Sequence, residues 1–257
     1  MMLRMLAAIL AAAFAFAAGP ARAEMKTEWV EYNHGDTKLK AYMAYDDKVT
    51  GNRPAVLMIH AREGMTPKTR QLTELWAKLG YVSFAADIFG YGQGVLPKDV
   101  PEMQAQTDIY TKDRPLMRAR TQAGFDTLVK NPMVDPSKVA LIGYCFGGAV
   151  GVEFGSTGAP LVANVAIHGS FRDHAPGWAK NAKGMFLILH GAEDEGFPLT
   201  TVDKVIQELR AAKVPFELEV YSGTGHGFST PKNKAEERAN AESITATGRT
   251  LKELFGI

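Results

Sequence analysis

Cys145 is the single thiol of a 257-residue chain, and it stands between glycines in Gly143-Tyr-Cys-Phe-Gly147. An apolar β-type run, Val139 to Ile142, leads into it, and a helix-compatible stretch follows. G-x-C-x-G at a strand–turn–helix junction is the cysteine counterpart of the G-x-S-x-G nucleophile elbow. In so tight a turn a Cβ at Gly143 or Gly147 would clash, so the flanking positions must be small. The turn sets the sulfur at the N-terminus of a helix, where the backbone dipole favours a thiolate. The bland alternative is a cysteine buried in a glycine-rich turn.

A thiol nucleophile needs a base to carry its proton and a group to orient that base. Behind such an elbow the chain order is nucleophile, acid, histidine. An apolar run, Met185 to Leu189, leads into His190-Gly-Ala-Glu-Asp-Glu-Gly-Phe-Pro198. Another, Phe216 to Tyr221, leads into Ser222-Gly-Thr-Gly-His-Gly-Phe228. We assign His226 as base and Asp194 as its orienting carboxylate. Glu193 and Glu195 compete for the acid role, but G-x-x-D directly after the strand favours Asp194. His60, His168 and His190 each end an apolar run and are candidates to line a pocket, not to act as base. His34 and His174 lie in polar turns.

Attack on an acyl carbon creates an oxyanion that needs two backbone donors. The amide of Phe146, just after the nucleophile, is one. The loop His60-Ala-Arg-Glu-Gly64 offers the other, at the amide of Arg62. The side chains of Arg62, Glu63, Tyr144 and Arg114 are candidates for substrate contact. No H-E-x-x-H or C-x-x-C occurs, so neither a metal nor another cofactor is expected. Gly90-Tyr-Gly-Gln-Gly94 resembles a phosphate loop, but Val95-Leu-Pro-Lys98 continues as loop where a helix should open. It reads as a flexible segment over the pocket rim.

These groups need a scaffold that brings distant loops to one edge. Apolar runs at Ala55 to Ile59, Tyr81 to Ala86, Val139 to Ile142, Leu161 to Ile167, Met185 to Leu189 and Phe216 to Tyr221 read as strands. Helix-period segments lie between most of them: Thr69 to Leu79, Leu116 to Val129, Phe146 to Phe154 and Thr201 to Ala211. Lys234 to Leu254 supplies a final amphipathic helix. Glu28 to Tyr32 and Leu39 to Tyr45 flank Asn33-His-Gly-Asp36 and form an N-terminal β-hairpin. The pattern predicts an α/β domain with a mostly parallel central sheet covered by helices on both faces. Ligands of such sheets bind at the carboxyl ends of the strands, and Cys145, Asp194 and His226 all follow such ends.

Arg4, the apolar run Met5 to Ala18, and Ala21-Arg-Ala23 form a signal peptide with its cleavage site. The mature chain, residues 24–257, is one domain, periplasmic or secreted, with no stable membrane insertion after cleavage. Without residues 1–23 the 29 basic residues fall to 27, against 28 acidic ones. A chain so close to neutral offers no basic face for nucleic acid. Its partner is a small molecule. A lone cysteine excludes an internal disulfide, and an unpaired thiol in an oxidising compartment favours a chemical role over packing.

With G-Y-C-F-G-G, Gly80-Tyr81 to Asp87 followed by Ile-Phe-Gly90, the acid loop and Gly225-His-Gly-Phe228, the chain resembles the dienelactone hydrolase family of the α/β-hydrolase superfamily. The resemblance runs from about Ala55 to Phe228. It implies an α/β-hydrolase fold and hydrolysis of small esters or lactones through an acyl-thiol intermediate, without a cofactor. Three family features have no counterpart here. The glutamate that holds the resting thiol falls at Ala61, the arginine after the catalytic histidine at Thr230, and a second arginine at Gln106 if Tyr110 is the tyrosine that follows it. Arg62 or Arg114 are the candidates to replace the arginines. The alternatives are a general carboxylesterase or thioesterase, or a non-catalytic ligand-binding or thiol-sensing protein on the same fold. The sensor has no resolving cysteine for an internal disulfide cycle.

Overall fold

Alternating side chains explain how the central strands form and what they bury. In β3 (Arg53–Ile59), Leu57 and Ile59 face one side of the sheet while Val56 and Met58 face the other. Both sides are apolar because helices cover both. The computed structural model describes residues 25–257. The expected signal peptide, residues 1–23, lies outside them.

Among the described residues the eight strands are β1 (Met25–His34), β2 (Thr37–Asp46), β3, β4 (Val82–Ala86), β5 (Val134–Tyr144), β6 (Ala163–Ile167), β7 (Met185–Gly191) and β8 (Phe216–Tyr221). They form one sheet in the order β1-β2-β4-β3-β5-β6-β7-β8. β1 and β2 make the antiparallel hairpin, β2 meets β4 antiparallel, and every remaining pair is parallel. The helices are α1 (Pro67–Ala77), α2 (Val100–Lys112), α3 (Arg114–Val129), α4 (Phe146–Gly155), α5 (Leu199–Ala211) and α6 (Lys234–Phe255).

One face of the sheet packs Leu57, Phe84 and Leu141 against Phe125 and Leu128 of α3 and Phe154 of α4. Farther along, Phe186 and Ile188 meet Val202, Val205 and Leu209 of α5. The other face packs Val56, Ile142, Leu187 and Leu189 against Trp76 of α1 and Leu251 and Phe255 of α6. Burying a large apolar side chain contributes about 1.5–3 kcal/mol, so these two layers dominate stability. No helix among the described residues is long and apolar enough to cross a membrane.

Two local readings differ from the sequence pattern. Helix α2 was absent from it because only Thr107 and Tyr110 of its thirteen residues are buried, so no apolar stripe marks it. Its start is nonetheless written in the sequence: Asp99 caps the Glu102 amide at 2.9 Å, Pro101 occupies the first turn, and Glu102 accepts from the Lys98 amide at 2.8 Å. The segment Gly90 to Gly94 is no flexible flap over the pocket. Buried Asp87 accepts hydrogen bonds from the amides of Gly90 (2.8 Å) and Gly92 (3.0 Å), and Tyr91 stacks on Trp29 of the hairpin. The chain's own carboxylate therefore occupies amides that a phosphate would need.

Candidate active site

Parallel pairing brings the candidate residues together. Ile59 is level with Gly143, Tyr144 with Ile167, and Gly191 with Tyr221. The loops that follow consequently emerge side by side at the carboxyl edge of the sheet. Cys145 sits there with φ +52°, a left-handed conformation that side chains rarely adopt. Added Cβ atoms would run into the Gly147 carbonyl at Gly143 and into the Ile59 carbonyl at Gly147. This close approach of loop and helix is what demands the two glycines. The bond Cys145 N–H to Ile167 O, 3.1 Å, holds the turn to β6.

His226 Nε2 lies 3.1 Å from the sulfur of Cys145, and its Nδ1 lies 2.7 Å from Asp194 Oδ2. Asp194 is buried, and its other oxygen accepts the Phe197 amide at 2.9 Å. Its rivals face elsewhere: Glu195 is exposed, and Glu193 accepts the Thr224 amide at 2.8 Å. The Glu193 amide in turn donates to Thr224 O at 3.0 Å, cross-tying the acid loop to the histidine loop. An added Cβ at Gly225 would be only 3.6 Å from the Glu193 carbonyl, so the loops are also in contact.

Charge is stabilised across this trio. Burial pushes the Cys145 thiol up, but the hydrogen bond and charge of His226 and a contact with Ser170 bring it below the ordinary value. Burial likewise opposes charge on His226, yet the bonds to Asp194 and Cys145 raise it to about 9. Asp194 is held below the usual carboxylate range by the His226 hydrogen bond, against burial. Both shifts at the Cys145–His226 pair favour thiolate and imidazolium.

A cavity of about 470 Å³ opens on one side of the sulfur, lined by Arg62, Glu63, Lys68, Tyr144, His168 and Lys232, among others. A smaller lobe of about 70 Å³ lies between Cys145, Ser170, Arg172, Phe197 and the α2 residues Gln104, Thr107 and Thr111. Arg62 borders both, with Nε 3.6 Å from Glu63 and about half of each side chain exposed. No carboxylate lies within ion-pair distance of Lys68 or Lys232 among the described residues. The amide of Phe146 opens α4 and has no intrahelical acceptor. Arg62 is the second residue of the turn closed by Gly64 N–H to Ala61 O, 3.0 Å, which leaves its amide outside that bond.

Arg114 is a correction. It reaches neither lobe, because its guanidinium pairs with Glu153 and the Asp173 carbonyl, and Arg118 bonds the same carboxylate at 2.9 Å. Glu153 is almost fully buried on α4, and a buried carboxylate must be paired. Its net pKa of about 2 reflects His174 and Arg114 overcoming the effect of burial. Tyr144 borders the large lobe, but its hydroxyl is buried without a hydrogen-bond partner.

Sequence reasoning gave no role to Ser170, whose Oγ is 3.3 Å from the sulfur, or to Ser229, which bonds His168 Nε2 at 2.7 Å. His168 has φ +41°, is fully buried, and sits edge-on to His226 at 5.2 Å. Burial, then the neighbouring His226 charge, lowers it to about 3, so it stays neutral. His60 and His190 are also buried and shifted down by burial. Among the described residues no group of histidine, cysteine or acidic side chains is arranged to hold a metal ion.

The family model of the dienelactone hydrolase family matches residues 39–255. A Synechocystis sp. protein whose provisional name is carboxymethylenebutenolidase is 27% identical, over 90% of this chain and 97% of its own. The crystal structure of a dienelactone hydrolase-like promiscuous phosphotriesterase from metagenomic libraries is 32% identical, with a TM-score of 0.84, over 90% of this chain and 99% of that one. Acylaminoacyl peptidase of Pyrococcus horikoshii, 13% identical with a TM-score of 0.72, shares the fold over 89% of this chain and 41% of its own. Sheet order, hairpin and matches agree on an α/β-hydrolase fold. The chain belongs to the dienelactone hydrolase family and is a hydrolase of ester bonds.

Proposed function

We propose that this chain hydrolyses small esters or lactones with Cys145 as covalent nucleophile. The observation that carries the reading is the unbroken contact sulfur–His226–Asp194 at the mouth of an open cavity. The thiolate attacks the acyl carbon, and the C–S bond forms. The amides of Phe146 and Arg62 receive the oxyanion. His226 passes its proton to the leaving oxygen as the C–O bond breaks. The acylated sulfur carries no charge, so the part of the His226 shift that comes from Cys145 disappears. A more nearly neutral imidazole can then take a proton from water, which attacks the thioester and releases the thiolate. Turnover of a chromogenic short-chain ester, with an acyl adduct trapped on Cys145 and seen by intact mass, tests this directly. A folded protein without turnover would favour the ligand-binding alternative.

Thr230 and Gln106 stand where family arginines are expected, and Arg114 is held by Glu153. Arg62, Lys68 and Lys232 are the cations that border the large lobe. Arg62→Met should therefore lower the kcat/KM ratio of anionic to neutral esters by roughly two- to fivefold, the scale of a half-exposed ion pair. An unchanged ratio would move charge recognition to the two lysines. A wild-type ratio of one would make the protein a general carboxylesterase or thioesterase.

The N-terminal pattern supports export to the periplasm or medium. Mass spectrometry of the mature protein should find a chain beginning near Glu24. Intact Met1 to Ala23 on a membrane-bound product would point to a retained anchor.

A further inference from the structure

We propose that the Ser170 hydroxyl is a further catalytic group, donating a hydrogen bond to the Cys145 sulfur from the loop after β6. The inference rests on Cys145 being the nucleophile. Oγ lies 3.3 Å from Sγ, both residues are buried, and Oγ has no other hydrogen-bond partner among the described residues. When the sulfur is a thiolate it can only accept, so the hydroxyl is the donor of this contact. A thiolate is a far better acceptor than a thiol, so the contact stabilises the charged sulfur.

The backbone fixes this geometry. Ser170 donates its amide to the Cys145 carbonyl at 2.9 Å, while the Cys145 amide reaches back to Ile167 on the strand before it. Gly169 packs so closely on α4 that a Cβ at Gly148 would come within 2.7 Å of it. Serine is therefore delivered to the sulfur by the β6 loop, and histidine by the β8 loop. His226 must give up and regain a proton during turnover, whereas Ser170 keeps its own. Its hydrogen bond stays available when the tetrahedral intermediate of hydrolysis breaks. There the C–S bond cleaves, the electron pair goes to sulfur, and His226 retains the proton taken from water.

Several charged or titratable groups border the cavity beside the sulfur. Those that line the two lobes with it are His226 and Lys232 after β8, Arg62, Glu63 and His60 after β3, Lys68 of α1, Tyr144 of β5, and His168 and Arg172 after β6. Any of them could move a pH profile, so the test compares variants that differ only in the hydroxyl. Because the chain has a single cysteine, the rate of alkylation by iodoacetamide against pH reads Cys145 alone. Ser170→Ala and Ser170→Val should raise the alkylation midpoint by about one pH unit, a tenfold loss of thiolate below it. Ser170→Thr, the shape of valine with the hydroxyl kept, should stay near wild type. During ester turnover the alanine variant should also accumulate acyl-enzyme, visible by intact mass.

Thermal melts identify which variants are folded. A midpoint unchanged in any folded hydroxyl-less variant would overturn the proposal, as would equal shifts in the threonine and valine forms. The alkylation readout needs no ester turnover. If Cys145 were not the nucleophile, wild type would show no acyl adduct, while the midpoint would still report whether Ser170 touches the sulfur.

Discussion

Cys145→Ala is expected to abolish nearly all ester hydrolysis, lowering kcat by several orders of magnitude, while leaving the melting temperature close to wild type. Among the described residues the sulfur bonds only His226 and Ser170, so its removal breaks no structural network. Chemistry, by contrast, loses its nucleophile outright. Residual rate would come from the oxyanion amides and binding alone. Steady-state kinetics with a chromogenic ester, alongside circular dichroism, checks both halves. Substantial turnover by a folded alanine variant would remove Cys145 from the mechanism.

Asp194→Asn should be nearly as severe, with kcat falling about 10³- to 10⁴-fold and KM changing little. The carboxylate accepts from His226 Nδ1 and so leaves Nε2 to face the sulfur. An amide that presents its NH2 there would hold the opposite tautomer, and imidazolium would lose its counter-charge. Glu195→Gln, at an exposed position, should cost less than threefold. Glu193→Gln should be mild too, because a glutamine carbonyl can still accept the Thr224 amide. The ordering of these three variants is the measurement. A severe Glu193 or Glu195 phenotype beside a mild Asp194 one would reassign the acid.

The parts of this site that could be read in the sequence are those whose determinants are local. Gly143 and Gly147 announce an elbow because the clash they avoid lies within a few residues or on the adjacent strand. Asp194 and His226 each follow a strand at short range, β7 and β8, so strand ends alone place them together. Ser170 escaped notice because nothing around it marks a hydroxyl that meets a sulfur 25 residues away. Arg114 misled because a charge near the mid-chain helices looks available for substrate. Glu153 was the warning. A carboxylate inside Phe146-Gly-Gly-Ala-Val-Gly-Val-Glu-Phe154, otherwise without a polar residue, must find a cation, and two arginines of α3 supply it. Helix α2 lacks an apolar stripe and shows only in its capping residues, Asp99, Pro101 and Glu102.

The tie between Glu193 and Thr224 has a mechanical consequence. Acid and base ride on loops bound to each other by two reciprocal hydrogen bonds, so small excursions carry both together and preserve the tautomer. The sulfur is seated on its own turn, held between β6 and the first turn of α4, and the Ser229–His168 bond links that side to the histidine loop. The gap between sulfur and imidazole, 3.1 Å at rest, is where a reacting carbonyl and its leaving oxygen must be handled. A substrate that reaches the sulfur therefore meets a base whose orientation is already set by the paired loops.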